Sequence, residues 1–236
     1  MSNAGDVAHV LTLAATGVDC VVIQGADAGG HTHPSASAFA ILPEARDALD
    51  AAGYDEVMLA YAGGVCDGRG VAAALTLGAD AVVLGTRLAA AAESDYTSSQ
   101  RLALGAARDG AVSTTLGTFI DWVNGNYPHS SGLPGRCLVT NTTRLERDWE
   151  ALKGAASAGS GDGIDNLIRD MAAKGLARSG GEDGIEWGTT WAGAAVGLVP
   201  SSPDGAPQSA ESIVQDVMAE AAEALARASG RLLRID

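Results

Sequence analysis

Three short apolar runs set the rhythm of the first ninety residues: Cys20-Val21-Val22-Ile23, Val57-Met58-Leu59-Ala60-Tyr61-Ala62 and Ala81-Val82-Val83-Leu84. None alternates with polar residues, as a half-exposed strand would. Continuous apolar runs of this length suit strands buried on both faces, the usual state of a parallel sheet. Each run is preceded by a stretch of helical periodicity: Asp6 to Ala15, Pro43 to Ala52, and Asp67 to Leu77. Each stretch stops at a glycine (Gly17, Gly53, Gly78), the residue best able to take the left-handed conformation that closes a helix. Helices alternating with apolar strands predict parallel strands near 18–24, 57–61 and 81–84, joined by crossover helices. Gly17-Val18-Asp19-Cys20-Val21-Val22 and Gly78-Ala79-Asp80-Ala81-Val82-Val83 echo each other, which suits a barrel of repeated strand–helix units.

Beyond residue 92 the periodicity changes. Residues 93–115 are expected to be helical, and 117–148 irregular, with an extended piece at Arg136-Cys137-Leu138-Val139. The Gly/Ser/Ala-rich stretch Gly154 to Gly163 and the segment Ser179 to Gly184 are expected to be loose, and Asn166 to Leu176 to be a helix. Trp187 to Val199 carries Gly188, Gly193 and Gly197 and suggests a close-packed loop that touches a ligand. Ser209 to Leu233 predicts a final amphipathic helix, with Ile213, Val217, Ala221 and Leu225 near one face.

Composition narrows the field. A chain of 236 residues, 47% apolar, is long enough for a real core. Aromatics make up only 4%, so that core rests on Ala, Val and Leu. A net charge of −14 argues against nucleic acid or an anionic membrane as partner, because phosphate surfaces need clustered Lys and Arg. No apolar run reaches the length of a membrane span, and no signal peptide is visible. Cys20, Cys66 and Cys137 have no metal-ligand spacing and read as free thiols of a cytoplasmic protein, Cys66 as a buried filler.

The chemistry gathers where the apolar runs end. Gln24-Gly25-Ala26-Asp27-Ala28-Gly29-Gly30-His31 follows the first, Gly63-Gly64 the second, and Gly85-Thr86-Arg87 the third. Glycines let backbone N–H groups converge closely on a phosphate, and Thr86 adds a hydroxyl donor. The helix starting near Asp67 is expected to aim its positive end at the same place. Arg87 is expected to pair with a carboxylate such as Glu93 or Asp67, with a ligand phosphate as the alternative. His31 ends the first turn as an imidazole able to take a proton near neutral pH. His33 is expected to face solvent or cap its loop, and His9 and His129 have no recommending context. A His31/His33 metal pair lacks a third ligand nearby, so no metal is expected.

These motifs resemble the nitronate monooxygenase family, formerly 2-nitropropane dioxygenases. They are the Gln24-to-His31 turn, Ala62-Gly63-Gly64-Val65-Cys66-Asp67-Gly68-Arg69-Gly70 and Leu84-Gly85-Thr86-Arg87, with Trp191-Ala192-Gly193 and Val196-Gly197-Leu198-Val199 similar to a fungal-type tail. The resemblance implies a TIM-type α/β barrel that binds FMN. It implies His31 as the catalytic base, and Gln24, Gly29, Gly30, Gly63, Gly64, Leu84, Gly85 and Thr86 as flavin-binding positions. The implied reaction is oxidation of an alkyl nitronate or nitroalkane by dioxygen to a carbonyl compound and nitrite. A flavin-dependent enoyl-acyl-carrier-protein reductase shares the turn around Ala28-Gly29-Gly30-His31, and an inactive flavoprotein fragment is the third alternative. Tyr61 and Cys66 stand where the family usually has alanine.

Against the family's pattern, Met1 falls near the helix before the sixth strand. The expectation is therefore a partial barrel carrying about the last three parallel strands (residues 1–115), with an irregular and helical extension (116–236). An impaired activity and self-association through exposed strand edges are expected to follow.

Overall fold

A computed structural model describes residues 1–33, 36–123, 133–144, 188–201 and 206–232, together with Asn166. The three predicted strands form as β2 (Cys20–Gln24), β4 (Met58–Ala62) and β5 (Ala81–Val83), and a fourth, β1 (Ser2–Ala4), precedes them. Their order is β1-β2-β4-β5 and every pairing is parallel. The expected count of three is thus corrected to four. β1 is only three residues long and carries no apolar run, so nothing in its pattern announces it; its pairing with Val21, Val22 and Ile23 makes it a strand.

The crossover helices stand where the periodicity places them. In α1 (Val7–Ala15) the Asp6 carboxylate caps the start by accepting from the His9 N–H at 2.8 Å. α2 (Ala38–Ala52) begins five residues before Pro43, because Ser37 caps it at Phe39; the proline, which lacks an N–H, is accommodated in the second turn. α3 (Gly68–Thr76) is capped by Asp67. Gly17, Gly53 and Gly78 all take positive φ just beyond the three helices.

The sheet has two unlike faces. Val21 and Ile23 of β2 and Leu59 and Tyr61 of β4 pack with Val10, Leu42, Leu49 and Val71 into the main core. The opposite face is built of small side chains, Val22, Ala60 and Ala62. In register, Ile23 lies beside Tyr61 and Gln24 beside Ala62, so Gln24 ends the small-residue face at the carboxyl end of the strands.

The remainder folds over that end. After the one-turn α4 (Thr86–Ala89), residues 93–115, expected to be helical, divide into α5 (Ser98–Ala106), one turn α6 (Gly110–Ser113) and the start of a strand, β6 (Thr114–Gly117). The reason is long-range pairing: β6 finds β7 (Gly135–Leu138), which in turn pairs with β3 (Gly30–His31), in an antiparallel sheet ordered β3-β7-β6. β7 overlaps the extended piece expected at 136–139. Between them lies a short α7 (Phe119–Val123), and α8 (Asn141–Arg144) follows β7. The last long helix, α9 (Ala210–Leu232), packs on α3. Its Ile213, Val217 and Ala221 are buried as expected, whereas Leu225 is 40% exposed, a correction to the expected stripe. The helix expected at Asn166 to Leu176 and the loops at 154–163 and 179–184 lie outside the described residues.

Candidate active site

The end of β2 carries both halves of the site. Gln24 lines a cleft together with Ala28, Gly29, Ala62, Gly63, Gly64, Val65, Cys66, Val83, Gly85, Thr86, Gly193 and Ala195. Its side-chain amide donates from Nε2 to the His31 carbonyl oxygen at 2.9 Å. The glutamine therefore ties the glycine cleft to the imidazole-bearing strand β3.

The cleft measures about 100 Å³. Pockets that enclose a whole small molecule run roughly 300–1,000 Å³, so these walls enclose room for the phosphate end of a ligand rather than for the whole of it. Its walls suit a phosphate. Gly63 (φ +132°) and Gly64 (φ +64°) turn sharply after β4. A Cβ on Gly85 would meet nothing within 4 Å, so the space beside that residue is open. The Thr86 hydroxyl oxygen accepts from the Gly193 N–H at 2.8 Å, which leaves its own O–H to donate. No Lys or Arg is among the described lining residues, so a phosphate here would be held by N–H and O–H donors.

Several sequence-predicted residues sit differently from the simple picture. Gly29 is pressed against the 188–201 segment: a Cβ there would lie 2.7 Å from the Gly193 nitrogen. Gly63 and Gly64 are crowded by the Asp27 carboxylate, 2.9 and 3.0 Å from their notional Cβ atoms. Glycine at these three positions thus serves chain packing as well as any ligand. Gly30 belongs to β3, opposite Arg136. Leu84 packs against the main core, and its neighbour Val83 reaches the cleft. Cys66 is buried in the cleft wall. Burial pushes its thiol up to about 11, against the pull of the Arg87 charge, which makes it the inert filler expected.

Two expectations are corrected. The start of α3 does not offer its first N–H groups to the cleft. Asp67 accepts from the N–H groups of Arg69 and Gly70, and the Glu220 carboxylate of α9 accepts from Gly68 at 2.9 Å, so its end donors are consumed within the protein. Arg87 pairs with neither Glu93 nor Asp67. It is buried and donates to the Gln208 side-chain oxygen, while Asp67 bonds Arg69 and Glu93 accepts from Ala210. His33 also turns away from the cleft and lies edge-on to His9 at 5.9 Å between ring centres.

His31 has company that the sequence does not announce. Its Nε2 lies 2.8 and 3.0 Å from the two carboxylate oxygens of Asp121, on α7, ninety positions along the chain. Asp121 is fully buried, while the imidazole is about one-third exposed. The Trp191 ring flanks the imidazole at 5.2 Å, tilted by 50°. Trp191 lies over Gly135, the cross-strand partner of His31, where a Cβ would come 2.4 Å from the indole. The loop suspected of touching a ligand thus delivers Trp191 to the imidazole and Gly193 to the cleft. Asp121, in a stretch expected to be irregular, had no local signal.

Comparison with known proteins bears on family and fold. A nitronate monooxygenase from Neurospora crassa is 33% identical over 228 residues, covering 93% of this chain and 53% of its own length. Nitronate monooxygenase npaC of Metarhizium robertsii is 37% identical, over 81% of this chain and 50% of its own. The chain spans about half the length of these relatives. Among solved structures, FabK from Thermotoga maritima superposes with a TM-score of 0.73 at 23% identity, covering 97% of this chain and 62% of its own. Nitroalkane oxidase from Streptomyces ansochromogenes gives 0.64 at 26% identity, over 95% and 58%. These likenesses give a TIM-barrel-like α/β fold. The nitronate monooxygenase family model matches residues 1–216, and the chain belongs to that family.

Proposed function

We propose that this chain is the flavin-phosphate and base-bearing part of an FMN-dependent oxidase of alkyl nitronates and nitroalkanes, which yields a carbonyl compound and nitrite with dioxygen as oxidant. The observation that carries it is Gln24, which lines the phosphate-sized cleft and also holds the His31 backbone. On this reading the cleft and the imidazole act together. In this reading the four parallel strands are an arc of a flavin barrel, residues 1–115 carry the cofactor end, and the described residues beyond 115 pack on it.

The chain's own residues divide the work. The turns at Gly63-Gly64 and Gly85-Thr86 hold the phosphate end, through backbone N–H groups and the Thr86 hydroxyl. Gln24 fixes the spacing between that end and His31. His31 takes the α-proton of a neutral nitroalkane, leaving a resonance-stabilised nitronate anion. A nitronate presented as such needs no base. A bound flavin would supply the redox chemistry, accepting two electrons from the carbon and delivering them to dioxygen. The Trp191 ring covers one side of the imidazole and limits its contact with water.

The test is direct. The purified chain is mixed with FMN, and retention is followed by the flavin absorbance bands. Nitrite and oxygen uptake are then measured with propyl nitronate and nitroethane. Weak flavin retention and slow nitrite release are expected, in line with the impaired activity that a partial barrel implies. NADH consumption with an enoyl thioester and no nitrite would move the assignment to an enoyl reductase, and failure to retain flavin would overturn the cofactor site.

A further inference from the structure

We infer that Asp121 is the positioning residue of this site: its buried carboxylate fixes the His31 imidazole as the Nε2–H tautomer, so that the nitrogen left to accept a proton is Nδ1. The role as a base rests on the reading above; the tautomer does not.

Both carboxylate oxygens of Asp121 lie within hydrogen-bond distance of one ring nitrogen, at 2.8 and 3.0 Å. An ionised carboxylate only accepts, so the proton between the groups must sit on Nε2. The alternative, a protonated carboxyl donating to Nε2, would use one oxygen only, whereas both oxygens lie within reach of the same ring nitrogen. A fully buried carboxylate also needs donors around it, and the Nε2–H is one. With Nε2–H committed, the basic lone pair of the neutral ring is on Nδ1.

The ring has little freedom to choose otherwise. Its backbone is held at the carbonyl by Gln24 and in register by Gly135. Its flank meets Trp191. Exchanging the two nitrogens would break both contacts to Asp121 at once. When Nδ1 takes a proton, the resulting imidazolium keeps its Nε2–H on the Asp121 carboxylate. The new positive charge then forms beside the Asp121 carboxylate without loss of the contact.

The test begins on the flavin-free chain. Proton–nitrogen correlation spectra of histidine-labelled protein, with the His31 signals assigned by their loss in His31→Asn, report which ring nitrogen carries the proton. A protonated Nε2 and a bare Nδ1 are expected at pH 8. Asp121→Ala should convert His31 to a mixture of tautomers. A wild-type ring protonated on Nδ1, or the same tautomer ratio in Asp121→Ala, would overturn the inference. If Asp121→Ala does not fold, by far-UV circular dichroism, the wild-type spectrum and the near-isosteric Asp121→Asn decide.

A second readout uses the flavin-loaded protein. General-base catalysis is worth about 10²–10⁴-fold. Asp121→Asn should therefore lower kcat on nitroethane relative to kcat on propyl nitronate by about tenfold or more, with KM little changed. Equal losses on both substrates would mark Asp121 as merely structural. A wild type that oxidises neither substrate would sink the monooxygenase reading, and the tautomer spectrum would still decide Asp121.

Discussion

Substituting His31 by asparagine removes the base while keeping a polar side chain of similar reach. Turnover of neutral nitroalkanes should fall by about 10²–10⁴-fold, and turnover of preformed nitronates by far less, because their proton is already gone. Stopped-flow flavin reduction with each substrate measures the contrast; equal losses would make His31 a flavin-positioning residue. The glycines separate in the same way. Gly85→Val should fold normally and bind FMN poorly, since its side chain would occupy open cleft space. Gly29→Val should destabilise the fold itself, because its first carbon already lies 2.7 Å from the Gly193 nitrogen. Denaturation curves and flavin titration on the two variants tell these roles apart.

Helices α3 and α9 cross in close contact. A Cβ on Gly68 would stand 2.2 Å from the Ala221 nitrogen, so Gly68→Ala must push α9 away from α3. Overpacking of this kind costs about 1–3 kcal/mol, measurable by urea denaturation. Asp67, one residue earlier, caps α3. Burial alone would raise its carboxyl, but the Arg69 guanidinium and the N–H groups of Arg69 and Gly70 outweigh burial and hold it below the ordinary value. A depressed folded value means that the contribution is complete above the unfolded value of about 3.9 and is lost as pH falls below it. Asp67→Ala should cost roughly 0.5–2 kcal/mol at pH 7. The gap to wild type should narrow as the pH is lowered toward 3, and a constant gap would refute the assignment.

At the scale of the whole molecule the parallel sheet has two edges, β1 and β5, with no further strand beside them among the described residues. Val83 on β5 and Met58 on β4 are 41% and 48% exposed. An unpaired strand edge with apolar side chains is a template for pairing with another chain. Concentration-dependent association is therefore expected in sedimentation velocity, and Ala81→Lys, a charge on the β5 edge, should weaken it. An equally monomeric wild type and variant would remove this expectation. Among the described residues no helix is long and apolar enough to cross a membrane.

The sequence by itself determined the local order of the sheet layer. Helix period, apolar runs and the stop glycines at 17, 53 and 78 placed α1, α3, β2, β4 and β5 to within a few residues, because each depends on neighbours in the chain. It also placed the glycine turns that share the cleft, since parallel strands deliver their ends to one face. What it could not determine were contacts between positions far apart. β1 and β3 are too short to carry a period, and exist because β2 and β7 offer them partners. Thr114 and Thr115 left their expected helix for the same reason. The Asp121 carboxylate meets His31 across 90 positions, and the Gly193 N–H meets Thr86 across 107. Only tertiary structure decides which carboxylate orients the imidazole and which donors α3 spends on α9, because a side chain's partner is set by where the backbone carries it.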